Sequence, residues 1–187
     1  MREKLNMKAR KTSMALLLML CLALCSCGRS EKKIPDSAVL VLNSILEYPN
    51  ENLYTPSPII ISVDDEPGDI DYEGMQEAID EDTEKWEAAV GDCFAENMFD
   101  SFYQQWERTA VIGYAYANSL DITVNKIELL SQEDNVYHIQ TTIDVTDKDN
   151  QVEKYDLEWR LIFDKDTPNL IQSVELINDD GLIENKN

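Results

Sequence analysis

Basic residues are scarce in this chain. Its 187 residues carry 16 Lys and Arg against 37 Asp and Glu, a formal net charge of −21. Nucleic acid is thereby excluded as a default partner, because phosphate contacts need clustered Lys and Arg. Histidine occurs once, at His138, and cysteine four times. No metal-spaced Cys/His set is present, nor a Gly-rich phosphate loop or a Ser nucleophile motif, so no cofactor is expected and no catalytic residue is assigned. The longest apolar run, Met14–Cys25, has twelve residues and falls short of the ~20 that span a bilayer as a helix. What the chain does have is a 43% hydrophobic content with 8% aromatics, enough to build a core despite the charge.

The N-terminus reads as an address label. Arg2, Lys4, Lys8, Arg10 and Lys11 face a single acid, Glu3, and the apolar run follows. A basic head, a short apolar middle and small residues after it make a secretory signal. Met7 also has a sufficient basic head after it to serve as the start.

Leu24-Cys25-Ser26-Cys27-Gly28 resembles the bacterial lipoprotein signal box: Leu at −3, a small residue at −1, the Cys, then Gly. The resemblance implies lipidation of Cys27, cleavage before it and acylation of the new amino terminus. Cys25 fits less well, with the bulky Leu24 at −1. The alternative is an ordinary signal or an uncleaved anchor with incidental cysteines. On the lipoprotein reading, residues 1–26 are the signal peptide and residues 27–35 a lipid-anchored tether. The protein then sits on the extracytoplasmic face of the cell membrane. Cleavage removes five bases and one acid, leaving 11 bases against 36 acids and a net charge of −25. Such a surface repels anionic lipids, so the lipid must do the holding. Cys93 is then the one cysteine left in the folded part, which forbids an intrachain disulfide. Among apolar neighbours it reads as a small buried hydrophobe rather than a nucleophile.

Residues 36–178 read as a single domain. Asp36 or Ser37 caps an expected helix to about Glu47, with Val39, Leu42, Ile45 and Leu46 on one face; Ala38–Leu42 also fits a strand. Pro49, Pro56, Pro58 and Pro67 make Tyr48–Asp71 irregular, with Ile59-Ile60-Ile61 pinning it to the core. From about Tyr72 a helix places Met75, Ile79, Trp86 and Val90 inward. After a break at Gly91-Asp92 a second helix presents Phe94, Met98, Phe99, Phe102 and Trp106 inward, and Arg108–Asn118 forms a short third.

Beyond Leu120 the period changes from 3.6 to 2. Strands are expected at 121–131, 135–146, 151–164 and 170–178. The first slips phase at Asn125-Lys126, the mark of a β-bulge. The second puts Tyr137, Ile139, Thr141, Ile143 and Val145 on one face and His138, Gln140, Thr142 and Asp144 on the other. The third buries Tyr155, Leu157, Trp159, Leu161 and Phe163 and exposes Lys154, Asp156, Glu158 and Arg160. The fourth carries Leu170, Val174 and Leu176. Residues 179–187 read as a flexible polar tail.

Helices followed by a four-stranded antiparallel meander make an α+β fold. The element order, the bulged first strand and Trp159-Arg160-Leu161-Ile162-Phe163 resemble the nuclear transport factor two-like superfamily, in which a bent sheet wraps a long helix as a cone. The chain also resembles lipoproteins of Firmicutes that carry such a domain. That fold hosts isomerases and dehydratases as well as non-catalytic binding and assembly modules, so the resemblance fixes no function.

Two groups are candidates for chemistry. Enzymes of this fold place a His-Asp pair inside the cone, but His138 lies in the polar phase of its strand, and a pairing with Asp144 or Asp156 does not follow from sequence. From Asp64 to Glu84 there are 11 acids in 21 residues and no base. Asp64, Asp65, Glu66, Asp69 and Asp71 supply oxygens but match no calcium-loop spacing; Asp147, Asp149, Gln151 and Glu158 match one in part, with Val152 where Gly is needed. Both read as solvated acids rather than metal sites. The expectation is a membrane-anchored module without catalysis, with an envelope protein or a small apolar ligand as partner. The alternative is an isomerase- or dehydratase-type enzyme using the cone interior.

Overall fold

A computed structural model describes residues 33–50, 52–53 and 72–183, with the backbone alone at 72 and 73. The expected signal, Cys27, Ile59-Ile60-Ile61 and the acids at 64–71 lie outside the described residues. Among the described residues four helices, α1 (Asp36–Leu46), α2 (Tyr72–Val90), α3 (Met98–Tyr103) and α4 (Ala110–Asn118), precede four strands, β1 (Asp121–Glu133), β2 (Val136–Thr146), β3 (Val152–Phe163) and β4 (Ile171–Asn178). The sheet is an open antiparallel meander in the order β1-β2-β3-β4, an α+β fold.

Helix α1 starts where Pro35 sets the entry and its carbonyl accepts the Ala38 and Val39 N–H groups. Ala38, Val41, Leu42, Ile45 and Leu46 are all buried, the i, i+3, i+4 stripe of a helix covering a core. Val39, expected on that face, is half-buried at its edge. After α1 the chain turns extended, and Tyr48 and Ile122 exchange backbone hydrogen bonds at the start of β1.

Helix α2 buries Trp86 and Val90, but Ile79, expected inward, is exposed. The aromatic run after it is not one helix. Gly91–Cys93 forms a 3-10 turn, Phe94 bridges Ile171, and Asn97 takes a left-handed φ of 63° before α3 begins. The Ala95 N–H goes to the Ile171 carbonyl: pairing with the sheet replaces a helical bond. Phe94 and Phe102 are buried as expected, whereas Trp106, beyond the end of α3 in a second 3-10 turn, is 58% exposed. Helix α4 ends at left-handed Ser119, with the Leu120 N–H reaching back to the Ala115 carbonyl, an arrangement that closes the helix and turns the chain into β1.

The β1–β2 register shifts between Val124 and Lys126, the expected bulge, and again between Leu129 and Ser131. On the inner face the rows are Ile127–Thr141–Leu157 and Leu129–Ile139–Trp159–Leu176. The outer face of β2 is half-buried rather than fully wet, with His138, Gln140, Thr142 and Asp144 flanked by side chains of β1 and β3. In β4 the buried positions are Ile171 and Val174; Leu170, expected to open the strand, sits half-buried in the turn before it. Past β4, Asp179 accepts the N–H groups of Gly181 and Ile183, and this turn buries Leu182 in the core. Packing therefore continues beyond residue 178.

Candidate functional site

The inner face of the sheet is where the sequence reading placed any ligand or active site. Trp86, Trp159, Phe163, Ile139, Ile143, Leu157 and Leu161 are fully buried there and under the helices. Phe94 stacks on Phe102 with centroids 4.5 Å apart, and Tyr137 meets Phe163 edge-on at 4.8 Å. Two polar side chains are buried among the described residues, and both are engaged. The Thr141 hydroxyl accepts the Trp159 indole N–H at 3.0 Å, and the Ser44 hydroxyl donates to the Leu40 carbonyl at 2.9 Å. The buried Trp86 indole N–H has no hydrogen-bond partner among the described residues. With no carboxylate or imidazole among the buried side chains described, this interior offers packing rather than acid–base chemistry.

A polar cluster that the sequence reading missed joins α2 to the segment after α3. One Asp82 carboxylate oxygen accepts the Tyr103 hydroxyl at 2.7 Å and an Arg108 guanidinium N–H at 3.1 Å. Arg108 also donates through Nε to the Tyr103 carbonyl. Its guanidinium lies 4.1 Å from the Tyr103 ring centroid and 5.0 Å from that of Trp86. Burial is the first cause raising the Tyr103 phenol above its ordinary value, with the Asp82 carboxylate adding to it. A neutral phenol and a paired carboxylate make a clasp, with no group poised as a base. The available sequence signal is that Arg108 is the lone base between Lys85 and Lys126.

His138 lies on the outer face, opposite Ser131 and Arg160. Arg160 is itself paired with Glu175. The two carboxylates considered as partners of His138 are elsewhere. Asp144 is six residues along the same strand, about 20 Å away at strand rise, with Lys154 Nζ 3.7 Å from its Oδ1. Asp156 stands opposite Thr142 and accepts its hydroxyl at 2.6 Å. Neither carboxylate is paired with His138.

Cys93 is buried, and desolvation, with Asp92 nearby, pushes its thiol upward, away from the thiolate a nucleophile needs. The partial calcium-loop set is not brought together either. Asp147 Oδ1 accepts the Asp149 and Gln151 N–H groups and shapes the hairpin turn. Glu158 lies well along β3, opposite Gln140. Among the described residues no group of three or more His, Cys, Asp or Glu is placed to hold a metal ion, and no helix is long and apolar enough to cross a membrane.

Concave surface is found at both ends of the sheet and, away from it, in an open hollow of about 460 Å³ beside Leu53, Lys85 and Ala89. A groove of about 370 Å³ is lined by Gln132, Asp134, Asn135, Tyr137, Phe163 and Lys165, among others. A crevice of about 90 Å³ lies at the opposite end, between Tyr114, Gln151, Tyr155 and Leu182. Asp164, at the wall of the groove, accepts the Asp166 and Thr167 N–H groups and the Gln172 amide, and these bonds, the Thr167 one foremost, lower its carboxyl below the ordinary value. Compared with known proteins, the chain matches no family model, no curated protein and no solved structure.

Proposed function

We propose that this protein is a lipid-anchored extracytoplasmic lipoprotein whose α+β domain is a non-catalytic binding or assembly module of the cell envelope. The observation that carries the module reading is the filled inner face, where Trp86, Trp159, Phe163 and their neighbours occupy the space a ligand or substrate would need. The anchor rests on Leu24-Cys25-Ser26-Cys27-Gly28 behind its basic and apolar signal. The two bulges in β1 bend a strand locally, and they support a sheet curved round the helices in the cone manner. Two or more acyl chains hold a protein stably where one does not, and a strongly acidic body leaves its surface open to partners rather than to anionic lipid.

Labelling cells with palmitate and fractionating them tests the anchor. The wild-type chain takes up label and sediments with membranes. Cys27→Ser takes up none, and either appears in the soluble fraction or persists as uncleaved precursor. Label on the Cys27→Ser chain would sink the reading.

A further inference from the structure

The strand ends fall into two groups, and α1 connects them. At one end lie the Asp134-Asn135 turn between β1 and β2 and the 164–170 turn between β3 and β4, tied together by the Asn135 side-chain amide on the Phe163 carbonyl. At the other lie the first residue of β1, Asp121, the last of β2, Thr146, and the 147–150 hairpin that follows it. The Ser37 hydroxyl donates to the Asn169 carbonyl at 2.7 Å, so α1 begins at the first end. Tyr48 bridges Ile122, so the chain leaving α1 arrives at the second. The groove lined by Gln132, Tyr137 and Phe163 belongs wholly to the first end.

Lys33, ion-paired to Asp36, is six residues from Cys27. At no more than ~3.5 Å per residue that chain reaches at most ~20 Å. Strand β2, with 11 residues, is about 35 Å long at ~3.3 Å per residue. The anchor can therefore hold the first end near the bilayer and leave the second beyond its reach. Charge disfavours a broad contact with the bilayer: 36 acids against 11 bases in the chain from Cys27 onward push the body away from an anionic surface, and the near end, with Glu133, Asp134, Asp164 and Asp166 against Lys165, is held close by the lipid alone.

We propose that the end of the sheet formed by the 134–135 and 164–170 turns, with its groove, is the surface apposed to the lipid bilayer, and that the 147–150 hairpin points away from it. The inference rests on lipidation at Cys27. The groove then opens toward the headgroup layer, and a protein partner approaching from outside meets the hairpin end first.

Energy transfer to the membrane surface tests this. Lys165→Cys and Lys148→Cys each place one exposed thiol, at the near and the far end, beside a buried Cys93. The lipidated full-length variants are labelled briefly with a donor maleimide and reconstituted in anionic vesicles carrying an acceptor on the headgroups. Transfer several-fold greater from position 165 than from 148 is expected. Glu133→Cys and Val152→Cys, on other strands at the same two ends, should repeat the contrast. Equal transfer means the domain lies flat, and stronger transfer from 148 means it is inverted; either overturns the orientation. Label that fails to float with vesicles in every variant overturns the anchor itself, and the orientation with it.

Discussion

Trp159 shows how one side chain serves both parts of the core. Its ring is fully buried between Ile139 and Leu176 on neighbouring strands, and its indole N–H goes to Thr141, the buried hydroxyl of the sheet. Truncation would therefore open a cavity and also remove a donor inside low dielectric. Large-to-small changes at such aromatic positions cost about 3–5 kcal/mol. One residue on, Arg160 points to the outer face and pairs with Glu175 with both side chains half-buried and still reached by water, a kind of ion pair worth about 1 kcal/mol or less. Urea melts of Trp159→Ala and Arg160→Ala should therefore differ by more than about 2 kcal/mol, with the Trp159 variant the weaker. The reverse order would mean the strand presents its other face to the helices.

The elements differ in how far their sequences announce them. The strands were legible because a period of two persists over ten or more residues, and the bulge at Asn125 shows as a slip in that period. The helical half was legible less completely. Phe94, Phe99 and Phe102 fit a helical stripe, yet at Phe94 the chain bridges to Ile171, whose carbonyl takes the Ala95 N–H, a pairing that no local pattern records. Trp106 shares the apolar character of that run but falls past the end of α3 and faces solvent. The Asp82–Tyr103–Arg108 clasp was hidden for the same reason, since Asp82 lies 21 residues before Tyr103 and 26 before Arg108 and meets them through tertiary packing. The 164–170 turn was read from its Asp, Pro and Asn content, while the threefold bonding of Asp164 appears in three dimensions alone. Because these bonds hold the Asp164 carboxyl below its ordinary value, the folded state binds that proton less readily than the unfolded chain. Its contribution is thus present above the unfolded value and is lost as pH falls through the folded one. Asp164→Asn keeps an acceptor oxygen without the charge. Its melting temperature should converge on that of the wild type as pH falls below about 4, the ordinary carboxylate range; a gap that stays unchanged on acidification would show that the Asp164 charge plays no part in acid unfolding.

At the scale of the whole molecule the governing quantity is charge of one sign. Three neighbouring acids of α2 already have partners: Asp80 accepts the Gln76 amide, Glu81 pairs with Lys85, and Asp82 holds Tyr103 and Arg108. Lys85 lowers the Glu81 carboxyl by hydrogen bond first and charge second. A helix also spreads successive carboxylates around a cylinder, so one ion cannot be reached by all of them. Added cations should therefore act on the fold mainly by screening repulsion among acids that outnumber bases more than two to one, over a distance of ~10 Å at 0.1 M salt. Raising sodium chloride from about 0.01 M to about 0.15 M should raise the melting temperature, even though it weakens the few surface ion pairs. Calcium chloride at equal ionic strength should raise it by about the same amount. A calcium-specific excess would signal a bound ion, by the linkage of binding to folding. Its removal by Asp69→Asn would place the ion at residues 64–71; its survival in that variant would move the search to the carboxylates of the folded body.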